Sequence, residues 1–321
     1  MSASPDVSVC IVNWNGRQVL RDCLASLRSG HDGLTLQTIV VDNASADDSA
    51  AMVGAEFPEV ILIRNDANRG FATANNQAGA VATGKYLLFL NNDTIVPPGS
   101  LNKLSQFLDM HAEVCAIGPK LIGADGQPQR SGRNLPTLRA MLHWGALPIK
   151  WTGLFSRQYR RYRNALDPEI SGPAPQLAAA ALLVRPEAFN QAGRWDESYE
   201  FGVEDVDLCL RLSRLGTIYY DADVAIEHLG RVSSHLNRGP VFRSYQCGYA
   251  GYFSKHHRSR MAPWIYKIAI TVDCPIRLGL LLTKVFLSRV FGRKEEAERS
   301  RQRAAAVWFF IRDGLGRFWR T

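Results

Sequence analysis

The chain has 321 residues, with 46% hydrophobic and 21% charged residues. That composition fits a folded α/β protein and excludes wholesale disorder. The net charge of +8 is concentrated at one end: residues 255–321 hold 15 Lys and Arg against 5 Asp and Glu, a net of +10, so the preceding body is close to neutral.

The first half alternates apolar runs with helical patterns. Val7–Asn13 reads as a buried strand and Gly16–Ser29 as a helix with Val19, Leu20, Cys23, Leu24 and Leu27 on one face. Thr38–Val41 is a strand, and Ala46–Phe57 a helix with Ser45 as its N-cap. Val60–Ile63 (strand), Phe71–Ala82 (a small-residue helix) and Lys85–Leu90 (strand) follow, and the last runs into Asn91-Asn92-Asp93. Pro98–His111 is helical and Val114–Ile117 extended. The pattern weakens over residues 123–175, which carry Gly, Pro, Arg and aromatic residues. Gln176–Val184 reads as one tightly packed strand, Glu204–Leu215 as a helix and Ile218–Ile226 as a strand. Beyond Pro240 the chain reads as mainly helical. This rhythm predicts an α/β fold with a mostly parallel central sheet, helices on both faces and a helical C-terminal appendage. Ligands of such sheets bind at the carboxyl ends of the strands.

The apolar stretch Ala262–Val290 is broken by Lys267, Asp273, Pro275, Arg277 and Lys284. Each central charge costs about 2.5–3.5 kcal/mol on the insertion scale, which argues against a simple membrane span. Two readings stay open: a basic helix on an anionic membrane surface, or an ordinary helical subdomain or oligomer interface. The six cysteines form no C-x-x-C pair and sit largely in apolar runs, which points to buried, reduced thiols. The opening MSASPDVSVC has neither a basic nor an apolar leader region, so no secretory signal is expected and a cytoplasmic location is.

Four segments could carry chemistry. Asn91-Asn92-Asp93 ends an apolar strand: Asp93 could hold Mg²⁺ or Mn²⁺, which take oxygen ligands, or the tripeptide could be a plain turn. Glu204-Asp205-Val206-Asp207 opens a helix, where carboxylates favour the dipole and one could serve as a general base. Helical spacing puts Glu204 and Asp207 on one face and Asp205 elsewhere. His228 ends an apolar strand within the segment Ile226–Ser234, as a structural residue or as a ligand that would tilt preference towards Mn²⁺. In Asp42-Asn43-Ala44-Ser45 and Asn68-Arg69-Gly70-Phe71, Asp42 could accept from a base N–H or a ribose hydroxyl and Gly70 allows close backbone approach, or the segments are a helix cap and a loop; Asn75 and Asn76 beyond sit in a helix, where Asn is disfavoured. A dinucleotide-binding reading lacks support, because the first strand ends in Asn13-Trp14-Asn15-Gly16 and not in Gly-x-Gly-x-x-Gly. No nucleic-acid-reading motif accompanies the basic tail.

Taken together, the DNAS, NRGFATANN, LFLNNDT and EDVDLCLR segments resemble the family 2 glycosyltransferases of GT-A fold, and within them the rhamnosyltransferase-like members. The likeness spans roughly residues 6–257. It implies a catalytic domain over 1–257, with a nucleotide-sugar half over 1–122 and an acceptor half over 123–257, followed by a basic helical region over 258–321. By resemblance, Asn13 and Asp42 contact the base and Asn68 and Gly70 border it. Asn91 and Asn92 sit at the family's Asp-x-Asp motif, with neutral Asn91 in place of an acid. Asp93 and His228 bind a divalent cation, Mg²⁺ or Mn²⁺. Asp205 is the base of an inverting transfer, and Trp195 and Glu204 line the sugar or acceptor pocket, with a core position the alternative for Trp195. The resemblance further implies a nucleotide-sugar donor, best dTDP-rhamnose with a UDP-hexose as the alternative, and a glycan or polyprenyl-linked acceptor at the cytoplasmic face of the membrane. A non-catalytic sugar-nucleotide or glycan-binding protein is the other reading.

Overall fold

The computed structural model describes residues 4–30, 33–164, 166–230 and 238–321. In chain order the elements begin β1 (Val7–Asn13), α1 (Arg17–Gly30), β2 (Leu36–Asp42), α2 (Ser49–Glu56), β3 (Ile61–Arg64), α3 (Phe71–Val81), β4 (Tyr86–Asn91), β5 (Thr94–Ile95), α4 (Ser100–Met110) and β6 (Val114–Ile122). They continue with β7 (Gly132–Arg133), α5 (Leu138–Gly145), α6 (Leu147–Trp151), α7 (Ser156–Arg163), β8 (Gly172–Pro173), β9 (Gln176–Leu177) and β10 (Ala181–Val184). Then come α8 (Pro186–Gln191), α9 (Glu204–Leu212), β11 (Thr217–His228), α10 (Arg238–His256), α11 (Ala262–Val290), α12 (Lys294–Phe309) and α13 (Leu315–Arg320). Arg231–Ser234, from the segment around His228, lie outside the described residues.

The chain divides into two compact units. The first comprises residues 1–135, 164–198 and 204–233 and contains the large sheet, in the order β3-β2-β1-β4-β10-β6-β11-β5. β1 pairs in parallel with β2 and β4, β2 with β3, and β6 with β11. β10 runs antiparallel to both β4 and β6. Successive strand residues point to opposite faces, and the cores follow that alternation. Val7, Val9 and Ile11 pack with Leu20, Leu24 and Leu104 on one face, whereas Cys10 packs with Ala74, Ala78 and Leu208 on the other. Parallel pairing aligns the strand ends, so that Asn13 lies opposite Asp42. β6 and β11 also end together, with Glu227 opposite Ile122.

Three local expectations change. Helix α2 begins at Ser49 behind Asp48, not at Ala46 behind Ser45. Ser45 is engaged elsewhere: its Oγ accepts from Asn13 Nδ2 and from Asn15 N–H. The stretch Gln176–Val184 is two strands, because Ala178 N–H donates to Ser131 O and Ala180 O accepts from Asn91 N–H between them. The stretch 123–175 contains α5, α6 and α7, and Arg157–Arg163 lies within α7. All six cysteines are free and buried, and burial pushes the thiols of Cys10, Cys23 and Cys209 up to about 12.

The second unit comprises residues 136–163, 199–203 and 234–321 and is helical. Its interior is aromatic, with Tyr249, Phe253, Tyr266, Phe310 and Phe318 buried. Asp273 is buried in ion pairing with Arg277 at 2.6 Å, and it also accepts from Leu147 N–H at 2.5 Å.

Candidate functional site

Two polar clusters meet at the carboxyl edge of the large sheet. The first lies at the ends of β1 and β2. Asn13, fully buried, donates from Nδ2 to Asp42 Oδ1 (3.3 Å) and accepts at Oδ1 from Asn92 Nδ2 (2.7 Å). Ala44 adopts a left-handed φ of 61°, and Ser45 N–H reaches back to Asp42 Oδ2 at 3.1 Å. Asn43 donates to Gly70 O at 3.1 Å, and Gly70 N–H donates to Asn68 Oδ1 at 2.9 Å. Gly70 has φ 83° as it opens α3, a conformation natural to glycine. The Asp42 loop and the Asn68–Gly70 loop are therefore tied together. Gly16 completes this cluster: a Cβ there would lie 2.5 Å from Asn92 Nδ2 and 2.9 Å from Asn13 Oδ1.

The second cluster lies at the ends of β4 and β11. His228 pairs with Thr94 across the β11–β5 ladder. Its Nε2 lies 3.3 Å from Asp93 Oδ1 and 3.2 Å from Asn91 Nδ2. Asp93 Oδ2 accepts from Gly230 N–H at 3.1 Å. Gln129 sets the ring: its Nε2 donates to His228 O at 2.7 Å, and its Oε1 lies 2.8 Å from His228 Nδ1. A backbone carbonyl only accepts, so the amide nitrogen must face it and the amide oxygen must face Nδ1. Nδ1 then carries a proton, and Nε2 faces both the Asp93 carboxylate and the Asn91 amide nitrogen. A carboxylate and an imidazole oriented by an outer partner are suitable donors for a divalent ion. Among the described residues no group of three or more His, Cys, Asp or Glu could hold a metal. This pair would therefore leave most coordination positions to waters and phosphate oxygens, the habit of cations bound with a diphosphate.

Asn92 and Asn91 join the two clusters along one strand end. Asp205 lies near them: the Ala179 backbone N–H helps lower its carboxyl, and the next residue's carbonyl, Ala180 O, holds Asn91 N–H. It lies in the first turn of α9, where Val206 N–H donates to Oδ1 at 2.8 Å. Burial pushes its carboxyl up to about 6, opposed by the Val206 N–H and the charge of Arg133. A half-buried carboxylate with that affinity can accept a proton near neutral pH. As the helical spacing implied, its neighbours turn inward. Asp207 is buried against Arg211 (2.5 Å), and Glu204 is 5% exposed.

Two expected pocket residues are enclosed instead. Trp195 is 2% exposed and packs edge-on against Phe71 (5.5 Å) and Phe89 (5.1 Å), so its ring is core and not a platform for a sugar. Glu204 is likewise buried. Asn75 and Asn76 serve structure: Asn75 bonds Phe71 O, and Asn76 clamps both the N–H and the C=O of Trp195. Gln129 and Gly16 are contributors that pattern reading passed over. Gln129 sits in the aperiodic stretch, and in the sequence Gly16 reads as the start of a helix in a segment that lacks the dinucleotide fingerprint.

Residues 8–178 match the family profile described as Glycosyl transferase family 2. That match ends before Asp205 and His228. An N-acetylglucosaminyl-diphospho-decaprenol L-rhamnosyltransferase of Mycobacterium tuberculosis is 28% identical over 238 residues, covering 70% of this chain and 73% of that protein. Among solved structures, a mannosyltransferase from Pyrobaculum calidifontis, in complex with GDP-Man and Mn²⁺, aligns with a TM-score of 0.54 at 14% identity, over 97% of this chain and 86% of that one. TarS 1–349 of S. aureus aligns with a TM-score of 0.51 at 15% identity, over 83% and 69%. These structural matches speak to the fold, which is GT-A.

Proposed function

Because the chain belongs to glycosyl transferase family 2, and is thus a glycosyltransferase using a nucleotide-sugar donor, we propose that it transfers rhamnose from dTDP-rhamnose, with inversion, to a hydroxyl of a lipid-linked or growing bacterial glycan. The observation that carries this reading is the joined edge Asp42–Asn13–Asn92 and Asn91–Asp93–His228, with Asp205 beside it. The mycobacterial rhamnosyltransferase, similar over most of both chains, supports the choice of sugar and of a polyprenyl-linked acceptor. Such an acceptor would put the reaction at the cytoplasmic face of the membrane.

In this reading Asn13 and Asp42 hold the base, and Asn68 and Gly70 border it. The amides of Asn91 and Asn92 face the ribose and phosphates. Asp93 and His228 hold Mg²⁺ or Mn²⁺, a role that the Mn²⁺ of the Pyrobaculum complex supports in general terms. When bound, the cation offsets the charge that builds on the departing diphosphate. Asp205 takes the acceptor hydroxyl proton as that oxygen attacks the anomeric carbon, and the sugar passes through an oxocarbenium-like state. One base suffices, because inversion needs no covalent sugar intermediate. Trp195 and Glu204 are given no contact with sugar.

A donor screen of the full chain with and without EDTA tests this. Turnover with dTDP-rhamnose that EDTA abolishes is expected. Turnover with UDP-glucose or UDP-galactose and none with dTDP-rhamnose would remove the donor assignment.

A further inference from the structure

Helix α11 carries an apolar face that nothing in the second unit covers. Ile265, Ile268, Val272, Ile276, Leu287 and Val290 are between 36% and 62% exposed. At 3.6 residues per turn they fall on one stripe, about 40 Å long at 1.5 Å per residue. The opposite side of the helix is the packed one, with Tyr266, Ile270, Asp273 and Cys274 buried. An exposed apolar strip of this length marks an interaction surface and not ordinary solvent exposure.

Charge identifies the occupant. From Arg258 to Arg293 the sequence has seven Lys and Arg and a single carboxylate, Asp273. That carboxylate is buried and neutralised by Arg277. Lys284 and Arg293 pair with Glu296 of α12, whereas Arg258, Arg260 and Arg289 make no ion pair among the described residues. Trp264, which stands 6.0 Å from Trp319, and Trp308 are also exposed. Arginine beside tryptophan on the rim of an apolar strip is the pattern of a helix seated among anionic headgroups. A second copy of this face would set base against base. Among the described residues no helix is long and apolar enough to cross a membrane, so the helix would lie on the bilayer rather than span it. We propose that the Ile265–Val290 face of α11 docks in the plane of an anionic lipid bilayer. This goes beyond the transferase reading and stands on the second unit alone.

The test is flotation of the full chain, without sugar nucleotide, on vesicles of phosphatidylcholine alone or of phosphatidylcholine with phosphatidylglycerol. The wild type should float with the anionic vesicles, less so as salt rises, and weakly with neutral ones. Replacing Ile268→Gln together with Val272→Gln should lower partitioning by about a hundredfold, roughly tenfold for each side chain withdrawn. Both side chains are more than half exposed, so the helix should survive, and an unchanged circular dichroism spectrum verifies that. Phe286→Gln, at the far end of the helix and 66% exposed, provides a second variant with an expected tenfold loss. The proposal is overturned if the wild type floats with neither vesicle or equally with both. It is equally overturned if the folded variants float like the wild type. A wild-type dimer that ignores vesicles and that the double variant splits would assign the face to a second copy. Because no donor is present, this outcome is independent of any failure in the donor screen.

Discussion

Replacing Asp205→Asn should stabilise the protein while stopping transfer. Burial raises the Asp205 carboxyl from 3.8 to about 6. A carboxylate raised in the native state binds more protons folded than unfolded between those two values. Stability is therefore greatest below the unfolded pKa and is lost as pH rises through the folded one. A gap of about two units corresponds to about 3 kcal/mol at 1.36 kcal/mol per unit. Asparagine removes that cost above pH 6 but replaces one carboxylate oxygen by an amide nitrogen, which weakens the acceptance from Val206 N–H and the nearby Ala179 N–H. That weakening costs about 1 kcal/mol, which leaves a gain of about 2 kcal/mol, or about 4–8 °C in Tm for a domain of this size. The assay is urea unfolding of both forms from pH 4 to pH 8. The advantage of asparagine should be full at pH 8 and vanish towards pH 4. A variant no more stable than the wild type at pH 8, or equally advantaged at both ends, would refute the reasoning.

The remaining predictions concern the same edge. If Asp205 acts as the base, kcat/KM should rise with unit slope as pH climbs through about 6 and then level; a profile flat from pH 5 to pH 8 contradicts this. Gln129→Leu should free the His228 ring and weaken Mn²⁺ binding in the presence of dTDP by about 10–100-fold, measured by titration of Mn²⁺ without acceptor; unchanged affinity excludes the orienting role. Gly16→Ala should force Asn92 from Asn13 at a cost of about 1–3 kcal/mol, seen as a lower Tm and weaker dTDP binding by calorimetry; wild-type values for both would show that the cluster tolerates the methyl.

Much of the edge was legible because the relevant residues sit at the ends of apolar strands. A run such as Tyr86–Leu90 declares a buried strand, and parallel pairing then brings Asn13, Asp42 and Asn91 to one side of the sheet. Helical spacing likewise separated Asp205 from Glu204 and Asp207. What stayed hidden depends on partners far away in sequence. Gln129 meets His228 across 99 residues from a stretch without periodicity. Gly16 matters because Asn92 and Asn13 fill the place a side chain would take, and an absent side chain leaves no pattern. Trp195 offered a stacking surface on paper, yet Phe71 and Phe89 enclose it. The break within Gln176–Val184 is made by backbone bonds of Ala178 and Ala180, which apolar composition cannot reveal.

The most direct measurement is an anomalous difference map from crystals grown with Mn²⁺ and dTDP. A manganese peak bonded to Asp93 and His228 Nε2, with the thymine seated by Asn13 and Asp42, is the expected result. A peak away from both side chains, or a nucleotide bound elsewhere than the carboxyl edge, would contradict the account.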